Sequence, residues 1–265
     1  MAEEPHLLVS EDEAILIATF NRPEKLNAMS LALMRALEEA VHRFRDTPEL
    51  KVMLIRAKGR YFSSGADLKD DSSAPPSTGS GIREMHRRLP SGMRRLWDEM
   101  EHIEKPFVVA HQGVCVGGSL EMSLSCDFRL AAASASYSFP EANFGVLPAT
   151  NGVSRLTRLV GPHWARLFII ANMPVSAAEA LNMGLVHKVF PNESFEADVM
   201  AFCRHVAKQN AEVMGTAKIA IELAHDLGAD QAAAVERMAN SALMLMPNFQ
   251  EGLRKHVESV GAPKE

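Results

Sequence analysis

Short apolar runs separated by amphipathic stretches constrain the fold of this chain more than any other feature. A-I-L-I-A-T-F (14–20), V-M-L-I-R-A (52–57), P-F-V-V-A-H (106–111) and D-F-R-L-A-A-A (127–133) each read as a short buried strand. Between the first two, Ser30 stands before Leu33, Met34, Leu37, Val41 and Phe44. That is a capping residue followed by the spacing of one helical face. Strand, helix and strand within about 45 residues predict a βα repeat with parallel pairing.

The rest of the chain changes character. Residues 70–81, D-D-S-S-A-P-P-S-T-G-S-G, are polar and rich in turn formers, which predicts a loop. Helical character resumes with I-R-E-M-H-R-R-L, and it dominates from about residue 152. Ser176 and Glu179 have the spacing of a capping box, and Gly184 stops the helix they open. L-V-H-K-V-F (185–190) reads as an isolated late strand, and residues 193–258 read as successive amphipathic helices. The expected organisation is an α/β core over 1–195 and a helical region over 196–265.

Composition removes several classes of function. The net charge is −5, which gives no global pull toward nucleic acid or an anionic membrane. No run approaches the roughly 20 apolar residues of a membrane helix, and acids stand near the start where a secretory signal carries positive charge. Cys115, Cys126 and Cys203 are odd in number and far apart, unlike a disulfide framework or a zinc knuckle. No histidine pair has metal spacing, so no metal is expected. These features together lead us to expect a reducing, cytoplasmic compartment.

Two strand exits are unusually rich in small residues: S-S-G-A-D (63–67) and V-G-G-S-L-E (116–121). The second opens a helix, whose first N–H groups have no intrahelical partner. Two such exits can aim two N–H groups at one carbonyl oxygen, the geometry of an oxyanion hole. Two carboxylates accompany them. Glu121, in a first helical turn, is expected to favour its charged form. Glu141, among Phe139, Pro140, Phe144 and Val146, is expected to be partly desolvated and to favour its neutral form. An acid and a base separated in this way suit the addition or removal of water. Each element alone has a plainer reading: a turn, a first-turn acid, a solvated loop acid. Asp67 reads as a brace for its turn and His111 as a structural histidine. Arg83, Arg87, Arg88, Arg94 and Arg95 read as a solvated helix face, diluted by Glu84, Asp98 and Glu99.

Taken in order, N-R-P-E-K-L-N-A (21–28), F-S-S-G-A-D-L-K (62–69), G-G-S-L-E (117–121), C-D-F-R-L-A (126–131), F-P-E-A-N-F-G-V-L-P (139–148) and A-L-N-M-G-L-V-H-K-V (180–189) resemble the crotonase, or enoyl-CoA hydratase/isomerase, superfamily. The resemblance covers nearly the whole chain. It implies an α/β fold of repeated ββα units wound as a spiral, with a helical C-terminal trimerisation region. It further implies an acyl-CoA thioester as substrate, no separate cofactor, and a homotrimer or dimer of trimers.

By the same resemblance, the N–H groups of Ala66 and Gly118 match the oxyanion positions. Glu121 and Glu141 match the two glutamates of the hydratases, where one activates water and the other supplies a proton. The implied CoA contacts are Lys25, Leu26, Ala66, Asp67, Leu68, Lys69 and Gly118. Carrying both glutamates favours an enoyl-CoA hydratase. The alternatives are another crotonase-type isomerase, lyase or hydrolase step, or a weakly catalytic acyl-CoA- or RNA-binding member. The chain departs from the family pattern at Ala149-Thr150-Asn151, where Gly-Ala-Gly is common, at Ser119, where a third glycine is common, and at Ser259-Val260, where Lys-Arg is frequent.

Overall fold

The computed structural model describes residues 4–69, 77–88 and 93–260, with the side chains of 85–88 and 259 left aside. Strand β1 (Leu7–Asp12) pairs antiparallel with β2 (Ile15–Phe20). Helix α1 (Leu31–Asp46) then leads into β3 (Val52–Ala57), which lies parallel to β2. Ser30 caps α1 by accepting from Leu33 N, and the buried face is Leu33, Met34, Leu37, Ala40, Val41 and Phe44.

From β3 onward the chain alternates between two sheets. After β3, β5 (Phe107–His111) and β7 (Phe128–Ala132) extend the first sheet in parallel. Strands β4 (Tyr61–Ser63), β6 (Val114–Val116) and β8 (Ser136–Ser138) run parallel in a second sheet, whose edge is an antiparallel strand, β9 (Val175–Ser176). Helices α2 (Gly79–Arg88) and α3 (Met93–His102) follow β4, α4 (Gly118–Leu124) follows β6, and α5 (Gly152–Ile169) follows β8. This is the ββα spiral. Each helix crossover brings the next strand back in the same direction, so the pairing is parallel. The centre of the first sheet is covered on both faces: all six residues of β2 are buried.

Some elements differ from the sequence reading. Strand β1 does not read from the sequence, because its apolar residues stop at Val9 and Val9, Ser10 and Glu11 are exposed. The late strand is not isolated: β10 (Lys188–Phe190) pairs parallel with β7 at the edge of the first sheet. Residues 70–76 of the expected loop lie outside the described residues. Helix α2 already begins at Gly79, where Gly81 N donates to Thr78 Oγ1. Helix α5 breaks at Gly161 (φ +76), before Pro162. Strand β9 (Val175–Ser176) and helix α6 (Ala177–Asn182) follow, and Ser176 and Glu179 form the expected capping box.

Residues 1–208 make one compact unit that includes helix α7 (Phe195–Ala207), packed on β2, β3 and β7. Residues 209–265 make a second, in which α8 (Ala211–Asp226) packs on α9 (Ala229–Met244) and α9 on α10 (Pro247–Ser259). These helices leave Ile221, Met238, Leu245, Leu253 and Val257 exposed. None of the described helices is long and apolar enough to cross a membrane.

Asn27 ties the N-R-P-E-K-L-N-A stretch to the core. It is fully buried at φ +52, and its side chain donates to Lys58 O and Tyr61 O while accepting from Arg22 N. Its carbonyl accepts from Ser63 Oγ. Asparagine adopts this backbone region more readily than alanine. Asn27→Ala is therefore expected to cost roughly 3 kcal/mol, from the lost hydrogen bonds and the backbone conformation. Urea unfolding checks this; an unchanged midpoint would contradict it.

Candidate active site

The two small-residue exits leave adjacent parallel strands, β4 and β6. Gly65 sits at φ +85, and a Cβ there would lie 2.9 Å from Val116 O and 3.5 Å from Gly118 N. The two main chains therefore meet with no side chain between them. Met29 N donates to Gly65 O (2.8 Å) and Asp67 N donates to Met29 O (3.3 Å). In that parallel bridge the intervening Ala66 turns its own N–H away from Met29. A Cβ on Gly118 would stand 3.9 Å from Ala66 N, so the two amides are neighbours. Gly118 is the first residue of α4 and has no intrahelical acceptor. Among the described residues neither amide has a hydrogen-bond acceptor. Two free, adjacent N–H groups are a site for one oxygen that gains negative charge.

Glu121 lies in α4, buried. Its Oε1 accepts from Thr150 N (2.8 Å) and Gly152 N (3.1 Å). A Cβ on Gly152 would stand 2.6 Å from that oxygen, so glycine is what admits the carboxylate. The position also shows why the departures from the family pattern are tolerated. Asn151 adopts φ +69, a conformation asparagine accepts in place of glycine, and its Nδ2 donates to Asp98 Oδ1 (2.9 Å). Arg155 donates to Thr150 O (3.2 Å) and pairs with Asp98 (2.7 Å) and Glu101 (2.5 Å). Sequence reasoning missed this clamp. Its signal was an Asn before a helix with Arg155 one turn in. Ser119 is also accommodated: its Oγ donates to Val116 O (2.8 Å).

The electrostatics partly reverse the expectation. Burial raises the pKa of Glu121 rather than leaving it low; the Thr150 side chain, the N–H groups of Thr150 and Gly152 and the Arg155 guanidinium oppose that rise. Glu141 lies in a 3-10 turn (Pro140–Phe144) and is raised to about 7, first by burial and further by the charge of Glu121. The expected source of that burial is wrong for two neighbours: Phe144 and Val146 are exposed, at 64% and 56%. Glu141 instead lies against the second exit, where a Cβ on Gly117 would be 2.9 Å from its Oε1. Both carboxylates thus flank the Gly117–Gly118 turn.

Of the remaining expected residues, Asp67 ends the first exit, and Leu68 and Lys69 continue the chain directly after it. Ser64 N donates to Leu26 O (2.9 Å), which brings Lys25 and Leu26 beside the first exit. Leu68 and Lys69 are exposed. Asp67 braces its turn as expected, pairing with Arg22 (2.9 Å) and accepting from Lys69 N. His111 is buried between Ser123 and Tyr137, with its pKa lowered to about 3 by burial and by Arg129. Arg83, Arg94 and Arg95 are exposed, and Arg94 lies 3.7 Å from Asp98. The side chains of Arg87 and Arg88 lie outside the described residues. Among the described residues no cluster has the make-up of a metal site, and the three cysteines are free and buried.

The chain is similar to known proteins along nearly its whole length. The family model described as enoyl-CoA hydratase/isomerase matches residues 10–263. A probable enoyl-CoA hydratase of Mycobacterium tuberculosis is 27% identical over 252 residues, 95% of each chain. The 2,3-dehydroadipyl-CoA hydratase of Escherichia coli is 26% identical over 247 residues, 93% of each. A crystal structure of an enoyl-CoA hydratase subunit from Geobacillus kaustophilus superposes with a TM-score of 0.87 at 28% identity, covering 98% of this chain and 97% of that one.

Gly65→Ala is expected to cost roughly 2 kcal/mol, from strain at positive φ and the close approach of Val116 O. A lowered urea midpoint would show this; an unchanged one would mean that the exits are not packed main chain to main chain.

Proposed function

We propose that this chain, which belongs to the enoyl-CoA hydratase/isomerase family, adds water across the double bond of a 2-enoyl-CoA to give a 3-hydroxyacyl-CoA, or runs the reverse. The observation that carries this reading is the placement of two carboxylates around one pair of free amides. The thioester oxygen accepts from Ala66 N and Gly118 N. Glu121 takes a proton from water as its oxygen bonds to C3. The π electrons move through C2 onto the thioester oxygen, giving an enolate held by the two amides. Glu141 then gives its proton to C2 as the carbonyl reforms. One H and one OH are added, and proton exchange with solvent resets the carboxylates.

The solvation of the acids supports these roles. A Glu141 with a pKa near 7 is roughly half protonated in neutral solution, where an ordinary carboxyl is almost fully ionised, so it can serve as a general acid. Glu121, although raised, is anchored by two amide donors that favour its anion. The turn before α5 also supports this reading. The Ala149-Thr150-Asn151 turn still delivers two N–H groups to Glu121, so its unusual sequence does not dismantle the base. No cofactor is invoked: CoA enters as part of the substrate, with Lys25, Leu26 and Lys69 assigned to its nucleotide end. We assign the exposed apolar side chains of α8–α10 to assembly as a trimer or dimer of trimers. A cytoplasmic site of action fits the three free, buried cysteines.

Glu141→Gln is expected to lower kcat about 100-fold or more while the Kd for the acyl-CoA stays within a few-fold. Equal turnover would remove Glu141 from the acid role. The sign of the pH dependence follows from the raised pKa: Glu141 is protonated below about 7, so kcat/KM should fall as pH rises through that value. A rate that rises across that range would contradict the assignment. Gly118→Pro deletes one amide at a helix position that accepts proline. It should cost about 100-fold or more in kcat with α4 intact; full activity would place the oxyanion donors elsewhere.

A further inference from the structure

Glycine at position 118 leaves open a point inside the site where three groups converge. A Cβ built on Gly118 would lie 3.5 Å from Met93 Sδ, 3.9 Å from Ala66 N and 4.0 Å from Glu121 Oε2. Two of these belong to the two ends of the chemistry: Ala66 N holds the thioester oxygen, and Glu121 serves the water at C3. The carbonyl carbon, C2 and C3 span the distance between them. The Met93 sulfur stands at ordinary van der Waals distance from a carbon placed at that point. It is an apolar group beside the reacting carbons, and the mechanism above gives it no part.

The position of Met93 is fixed by its helix. Met93 opens α3, which packs on α4 and buries Leu96, Trp97 and Met100. Trp97, one turn beyond Met93, is fully buried. These residues hold the backbone of α3 whatever side chain stands at 93. Met93 is itself partly buried and packs on the core. A methionine that only fills space ends among other apolar groups. This one ends beside a backbone amide and a carboxylate.

We propose that Met93 is a specificity-determining residue: its thioether walls the two carbons next to the thioester and disfavours a methyl branch on C2 or C3. This rests on one part of the reading above, that the thioester oxygen lies between Ala66 N and Gly118 N. The restriction follows from that anchoring. Two amides hold the oxygen, so C2 and C3 cannot retreat from the wall without losing those bonds. Carbons farther along the acyl chain are under no such constraint, and Met93 does not set chain length. A straight chain presents only hydrogens to the sulfur. A branch adds a methyl where the thioether already stands. The thioether is flexible, so the exclusion is graded, about tenfold for one methyl.

The test measures Kd by calorimetry for wild type, Met93→Ala and Met93→Leu with butanoyl-CoA, 2-methylbutanoyl-CoA and 3-methylbutanoyl-CoA. These saturated thioesters cannot take up water, so binding is read apart from the reaction. Wild type should bind butanoyl-CoA about tenfold more tightly than at least one of the branched ligands. Met93→Ala should bring that ratio to within about twofold. Met93→Leu, close in size, should keep it near the wild-type value. Three results would overturn the proposal: no preference in wild type, an unchanged preference in Met93→Ala, or an equal loss of affinity for all three ligands in that variant. A wild type that shows the preference but adds no water to any 2-enoyl-CoA would sink the hydratase reading and leave this proposal standing. A wild type that binds none of the three would overturn both.

Discussion

The close approach of two main chains at Gly65 and Val116–Gly118 is the constraint on which the site depends. A peptide N–H reaches a substrate oxygen only where no side chain intervenes, and here a Cβ on Gly65 would collide with Val116 O. The ββα spiral produces this approach without special devices. Successive units place β4 and β6 side by side, so their exits emerge together at the same edge. The first exit is held by the bridge to Met29 and the Arg22–Asp67 pair, the second by the start of α4. The hydroxyl of Ser63 and the side chain of Asn27 lock the first exit from below.

Around that pair of amides the fold sets two carboxylates in different surroundings. Glu121 shares α4 with Gly118 and is fixed by the Thr150–Gly152 turn. Glu141 arrives from after β8 and rests on Gly117. Burial raises both, but only Glu121 receives amide donors from a second segment; the sole backbone bond opposing the rise at Glu141 is its own. The difference in solvation between the two carboxylates is thus built from backbone placement, with little use of opposite charge.

Much of this was legible in the sequence. The strands at 52–57 and 107–111 read directly because both faces are buried and their apolar runs are continuous. Ser30 and the Ser176–Glu179 box read directly because capping is local. Strand β1 did not read, because its outer face is solvated, and β10 was seen but not its pairing with β7, since registry is a long-range property. At the site, the small-residue exits and both glutamates could be picked out from residue type and order. The Arg155–Asp98–Asn151 clamp could not, because it joins α3 to α5 across more than fifty residues. The raised pKa of Glu121 was misread for a related reason: its place in a first turn is local, but its burial is a consequence of packing.

The most direct measurement of the central claim is mass spectrometry of the reaction in isotopically heavy water. The protein is offered crotonyl-CoA, a longer straight-chain enoyl-CoA, a branched one and an aromatic one. The account predicts, for at least one of them, loss of the conjugated absorbance and a 3-hydroxyacyl-CoA with one solvent oxygen at C3 and one solvent hydrogen at C2. Binding of these thioesters with no incorporation of solvent oxygen into any product would contradict it.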